Sequence, residues 1–196
     1  SNRQIKRISK HGKLTFLVGN SEIEKNRIFE AMIEQKSRRY KETGSWDMFS
    51  NKENINFYKT LNNNLGIHGQ IHYSALLVND KIIATHWGIL SKDIYYYLMP
   101  SHEAGNWSKY SPGRLLLQYL IEWTINNNLK IFDFTCNDEA YKKKWISDEI
   151  QLFETIHIKS IKGYVYFSLI VLKKLIKNIP YIGKIIYRIL NIYRNK

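Results

Sequence analysis

The run Ser111-Pro112-Gly113-Arg114-Leu115 is where residue types and spacing point most directly to binding chemistry. Proline suits the first position of a helix, and the free amides and dipole at a helix start favour an anion. Gly113 would let the backbone come close to such a group, and Arg114 could add a two-pronged phosphate contact. The same residues read equally well as a plain helix start with Ser111 as its cap. His86 stands between Thr85 and Trp87 in a predicted strand. Imidazole is matched to taking a proton near neutral pH, although a hydrogen-bonded core or surface histidine is the plainer reading. His102, in the loop ahead of Ser111, is a second candidate base. Cys136 precedes a predicted helix start, which could activate a thiol, and is otherwise a bystander. No HxxxH, CxxC or carboxylate cluster argues for a metal.

These residues need elements to hold them. Residues 13–19 read as a strand ended by Gly19-Asn20. Ser21 and Glu24 make an S-x-x-E capping box for a helix carrying Ile28, Phe29, Met32 and Ile33, closed near Gly44. Ser50 and Glu53 repeat the pattern before Ile55, Tyr58, Leu61 and Leu65, with Gly66 as the stop. Residues 70–78, a turn at Asn79-Asp80, residues 81–90, a turn at 91–93 and residues 94–99 predict a three-stranded meander. A loop with Pro100, Gly105, Pro112 and Gly113 leads to a helix over 114–128. A strand over 130–135, a short helix over 138–145 and a last strand over 151–158 follow. The order β-α-α-β-β-β-α-β-α-β predicts an α/β domain, a mixed central sheet flanked by helices.

That order resembles the GNAT acyltransferase fold, and three motifs sharpen the likeness. The run from Tyr110 to Leu117 resembles the Y-S-P-G-x-L-L-L signature of the branch containing the cellulose-biosynthesis CelD-like proteins, a neighbour of the FemAB peptidyltransferases. Residues 133–145 resemble that branch's D-F-x-x-G-x-x-x-Y-K-x-x-W, with Asn137 in the glycine position, and residues 84–88 resemble its A-x-H-x-G strand. The resemblance covers about residues 3–158. It implies an N- or O-acyltransferase whose donor, acyl-CoA (acetyl-CoA) or an acyl carrier protein, sits at Tyr110, Ser111, Pro112, Gly113, Arg114 and Lys142. The acceptor would be an amine or hydroxyl of a sugar or envelope precursor, attacking directly with His86, or a water it holds, as base. Asp133 would orient the acceptor or cap the next helix, and Tyr141 would protonate the departing thiolate. Lys142 would bind phosphate, or with Lys143 and Lys144 form a solvated face. The phosphate loop has one glycine where the family usually has two or three. That keeps open a FemAB-like aminoacyl transferase using aminoacyl-tRNA, or a module without catalysis.

Charge divides the chain. Up to Ile158 there are 21 basic and 17 acidic residues; from Lys159 onward there are 9 basic residues and no acidic one. We therefore expect a GNAT-like domain over 1–158 and a basic amphipathic helical tail over 159–196. In the tail, residues 164–172 are apolar, Lys173, Lys174, Lys177 and Pro180 follow, and Ile182, Ile185, Ile186, Ile189 and Leu190 form a second stripe. Such a segment suits an anionic membrane surface over 164–193, although its apolar stripe could instead pack on the body or a partner. Nucleic acid is the poorer fit, since Ile and Leu dominate the segment. A single cysteine, the lack of a signal-peptide pattern and the lack of a spanning apolar run lead to an expected cytoplasmic location, peripheral on the inner face of the plasma membrane.

Overall fold

The structure is a computed structural model and describes residues 2–64, 69–136 and 139–177. The chain forms two compact units, Ser1–Thr43 with Asp47–Asp138, and Gly44–Trp46 with Glu139–Lys196.

The first unit holds α1 (Asn2–Ile8), β1 (Leu14–Val18), α2 (Glu22–Thr43), α3 (Lys52–Asn64), β2 (Gln70–Val78), β3 (Lys81–Ser91), β4 (Ile94–His102), α4 (Pro112–Asn126) and β5 (Ile131–Asp133). The sheet runs β1-β2-β3-β4-β5. The first four strands pair antiparallel, and β5 joins β4 in parallel. The parallel step requires a crossover, which α4 supplies. The mixed α/β sheet flanked by helices is as expected.

Local signals explain much of this. The capping box forms as read: Ser21 Oγ accepts from Glu24 N at 3.2 Å, and Glu24 Oε2 accepts from Ser21 N at 3.1 Å. The predicted box at Ser50 and Glu53 does not form, because Asn51 Oδ1 takes the Glu53 amide at 2.8 Å and α3 starts one residue later. Asn79 adopts the left-handed conformation that a two-residue hairpin turn demands, and Lys92 does the same in the next turn. Helix α1 falls in an N-terminal stretch for which the sequence predicted no element; its last residue, Ile8, is fully buried.

Side chains alternate across a strand, so neighbours on β2 and β3 report opposite faces. Tyr73 meets Phe29 of α2 edge-on, and Trp87 meets Tyr58 of α3. On the other face His72 lies 4.3 Å, ring to ring, from Trp123 of α4. From Ile82 to Gly88 β3 is buried throughout, as a strand covered on both sides must be. Ile28, Phe29, Met32, Tyr73, Ala75, Leu77 and Trp87 form the core on the α2 and α3 side.

Among its described residues the second unit contains a 3-10 turn at Lys142–Lys144 and α5 (Ile161–Lys177). The helix expected over 138–145 thus reduces to one turn within the described residues, and Asn137 and Asp138 lie outside them. The strand expected over 151–158 does not form either: Leu152, Phe153, Ile156 and Ile158 give it apolar content, but no ladder partner is paired to it. Leu65 of the predicted stripe, the stop at Gly66 and the second tail stripe beyond Pro180 lie outside the described residues.

Candidate active site

Strands β4 and β5 share only three register pairs, ending at Tyr96 with Asp133. Beyond that pair β4 continues to His102. Within this stretch the β3–β4 register slips between Trp87/Met99 and Gly88/Tyr97, leaving Leu98 as an extra residue on β4. Such a bulge leaves one residue out of the ladder and adds local twist.

The chain after β4 makes a 3-10 turn, Gly105–Tyr110, and enters α4 through Ser111. Ser111 holds φ 53° and ψ 54°, a left-handed conformation uncommon for a residue with a Cβ. Pro112 takes the first helical position, as predicted. Ser111 does not cap: its side chain makes no hydrogen bond to the helix start, while its carbonyl accepts from Leu115 N at 3.1 Å. The amides of Gly113 and Arg114 belong to the first turn, which has no partners within a helix. Arg114 is exposed there. His102 packs over the same turn, since a Cβ on Gly113 would lie 3.1 Å from its Cδ2. His102 Nδ1 donates to the Glu103 carbonyl at 2.9 Å, so in the neutral ring Nε2 is the bare acceptor. Tyr110 is buried and tied elsewhere: its hydroxyl bonds to His11 Nε2 at 2.7 Å, and the Arg7 guanidinium lies over its ring.

His86 has no exposed surface. Its ring stacks on Tyr97 at 4.3 Å, and its Nδ1 lies 2.8 Å from the Tyr95 hydroxyl. The same hydroxyl lies 3.1 Å from His72 Nδ1. A hydroxyl has one proton, so Tyr95 donates to one imidazole and accepts from the other. The two rings are therefore opposite tautomers, one presenting a lone pair at Nε2 and the other an N–H. Both Nε2 atoms are buried without a protein partner. Burial holds both imidazoles neutral: His72 is brought down to about 4, and His86, with His72 and Lys36 adding to the desolvation, falls well below its usual value. Burial also holds the Tyr95 phenol protonated.

Of the readings the sequence left open for His86, the buried, hydrogen-bonded histidine is the one the structure shows. Where it stands it can act on an acceptor only through a water on Nε2 or through Tyr95. It also explains Gly88, whose Cβ would lie 2.6 Å from His86 Cε1 and 2.7 Å from the Tyr96 carbonyl. Sequence reading passed over His72 and Tyr95. The signal was available: His72 and Ser74 interrupt an apolar strand at a spacing of two, and an interior strand glycine marks close approach.

Asp133, half-buried at the end of β5, accepts from Thr135 N at 2.6 Å through Oδ1. Thr135 is left-handed, and its hydroxyl reaches the Tyr97 carbonyl at 3.4 Å. One carboxylate oxygen thus shapes the turn. Tyr141, Lys142 and Glu139 belong to the second unit. Lys142 is buried and ion-paired with Glu139 at 2.6 Å. Burial and the Glu139 charge push the Tyr141 phenol up to about 12. Cys136 is exposed. Among the described residues no group of three metal-binding side chains occurs.

No curated protein sequence matches the chain. Among solved structures it is similar to a GNAT family acetyltransferase from Staphylococcus aureus, at 15% identity over 73% of this chain and 98% of that one, TM-score 0.47. It is also similar to an aminoglycoside acetyltransferase from an uncultured soil metagenomic sample, at 15% identity over 75% and 97%, TM-score 0.48. A third is glucosamine-6-phosphate N-acetyltransferase from Arabidopsis thaliana, at 15% identity over 73% and 99%, TM-score 0.46. The sequence model of the acetyltransferase (GNAT) domain matches residues 1–143, nearly three quarters of the chain. By that match the chain belongs to the GNAT acetyltransferase family.

Proposed function

We propose that this GNAT domain moves an acyl group from acetyl-CoA, a longer acyl-CoA or an acyl carrier protein to an amine or hydroxyl of a sugar or envelope precursor. One observation carries the reading. Pairing between β4 and β5 stops after three residues, and the helix that links them opens at Ser111-Pro112-Gly113 with no side-chain cap. Amides of that kind, beside exposed Arg114, suit the phosphates of a coenzyme A thioester. The choice of acceptor class rests on the CelD-like motifs alone.

The reaction is a direct displacement. The acceptor nitrogen or oxygen attacks the acyl carbonyl carbon and gives up its proton as the new bond forms. The carbon–sulfur bond then breaks, its electron pair goes to sulfur, and the thiolate takes a proton. In this reading Asp133 orients the acceptor with the oxygen that Thr135 does not hold. His86 accepts through a water on Nε2, which its neutral state permits at physiological pH. Tyr141 stays protonated at pH 7 because burial raises it to about 12. A free thiol sits near 8.5, so full proton transfer from Tyr141 to the thiolate is uphill by roughly 3 to 4 units. Its role is then a hydrogen bond to sulfur, with water supplying the proton. Lys142 would reach a phosphate only by releasing Glu139.

Calorimetric titration of the purified chain with acetyl-CoA tests the reading. Saturable binding that disappears in Gly113→Glu supports it, since that change puts a carboxylate at the anion cradle. No heat with acetyl-CoA or with an acylated carrier protein sinks it. The His102 ring over Gly113 gives a second reading some support, because it narrows the approach for a pyrophosphate. That reading is aminoacyl transfer of the FemAB kind, and binding of aminoacyl-tRNA without binding of acetyl-CoA would select it.

A further inference from the structure

Helix α5 leaves most of its surface in water, Tyr166 and Val171 included. Ile161, Tyr164, Val165, Leu169, Leu172 and Leu175 are between 52% and 84% exposed. Their spacing of three, four and seven residues puts them on one side of a helix with about 3.6 residues per turn. Gly163, Phe167 and Ile170, the partly buried positions of α5, fall on a different side. Apolar side chains normally appear on a surface singly; a continuous stripe marks a face meant to be covered.

Charge says what covers it. From Lys159 onward the chain carries nine basic residues and no acidic one. Four of these, Lys162, Lys173, Lys174 and Lys177, fall within the sequence of α5 itself. An apolar protein groove would match the stripe and leave the lysines uncompensated. A nucleic acid would match the lysines and leave the stripe in water. An anionic bilayer answers both, with acyl chains for the stripe and phosphate headgroups for the ammonium groups, while lysine stems lie along the apolar boundary. No described helix is long and apolar enough to cross a membrane, so the fit is to the surface.

We propose that α5 docks the protein on an anionic lipid bilayer, with Ile161, Val165, Leu169 and Leu172 entering the boundary between headgroups and acyl chains. This docking is independent of the acyl-transfer reading. Each lysine held near such a surface multiplies the binding constant roughly fivefold, and this part falls as salt rises.

The test is co-sedimentation of the full chain with vesicles of phosphatidylcholine alone and of phosphatidylcholine with about one third phosphatidylglycerol. We expect binding at least tenfold stronger to the anionic vesicles, weakening as salt is raised from about 0.1 to 0.5 M. Leu169→Glu with Leu172→Glu should reduce it at least tenfold and leave acetyl-CoA binding unchanged. The milder pair Tyr164→Ser and Val165→Ser should reduce it less, and circular dichroism verifies that both variants fold. Equal binding to the two vesicle types, no binding at all, or unchanged binding in both stripe variants overturns the proposal. Light scattering that shows a dimer, broken by the same stripe variants in the absence of lipid, overturns it in favour of contact between copies of this chain.

Discussion

Acidification from about pH 7.5 to pH 5 should strip the first unit of much of its stability through His72 and His86. Both imidazoles are buried and neutral in the folded state, His72 titrating near 4 against 6.5 when free. The unfolded chain takes up protons below 6.5 while the folded chain does not, so their contribution is intact above 6.5 and falls as pH drops. Each pH unit in that window costs about 1.4 kcal/mol per imidazole, which gives roughly 2 kcal/mol for His72 at pH 5. His86, also held down by burial, acts in the same direction. The His72 part alone compares with the roughly 5 to 15 kcal/mol typical of a whole domain. Glu24 and Asp93 are held below ordinary carboxylate values and titrate under this window. The charged group facing the pair from α2 is Lys36, which pushes in the same direction. Urea unfolding followed by tryptophan fluorescence reads the effect, because Trp123 touches His72. With a slope near 2 kcal/mol per molar, His72 alone should lower the midpoint by about 1 M between the two pH values. His72→Asn should remove that part of the drop. Equal pH shifts in wild type and His72→Asn would refute the reasoning.

Other expectations follow from the same geometry. Gly88→Ala places a methyl group against His86 and the Tyr96 carbonyl, and should cost about 2 to 3 kcal/mol in urea unfolding; an unchanged midpoint would show that β4 yields freely. Gly113→Ala must push the His102 ring by a few tenths of an ångström, so it should weaken acetyl-CoA binding severalfold in calorimetry while leaving the melting temperature close to wild type. Ser21→Ala removes one half of the capping box of α2 and should lower stability by about 1 kcal/mol, measured by thermal unfolding. Tyr141→Phe should cut the rate of coenzyme A release about tenfold or more with little change in acetyl-CoA affinity, and an unaltered rate would remove Tyr141 from the chemistry.

What could be read from the sequence depended on how far apart the interacting groups are. The Ser21–Glu24 box and the Asn79 turn are closed by neighbours within four residues, so the pattern contains the whole interaction. The box at Ser50 misled because Asn51 offers the same acceptor one position later. The segment 151–158 has the apolar content of a strand, but a strand exists only with a partner, and no local pattern names one. Helix α1 was missed for the same reason: its burial at Ile8 and the bond from the following His11 to Tyr110 link residues about a hundred positions apart. At the site, Gly113 and Pro112 were legible because helix starts have local rules, while the side-chain cap read at Ser111 does not form, its backbone being left-handed there. His86 was singled out as a candidate base with a hydrogen-bonded core or surface histidine as the plainer reading, and it is a buried, hydrogen-bonded one. Its neighbours His72 and Tyr95 come from two other strands, and only the register brings their ring nitrogens and hydroxyl together.

The short β4–β5 ladder also bears on how the domain assembles. Strands β1 to β4 are joined to spatial neighbours, with two-residue connections from β2 to β3 and from β3 to β4, so the meander closes small loops and can form early. The fifth strand arrives only after α4 has been built and folded back, and it brings just three register pairs. The mouth beside Asp133 is thus bounded by the latest and least secured seam of the sheet. Amide exchange should find that seam opening well before the meander does, which gives a ligand a way in that asks nothing of the core.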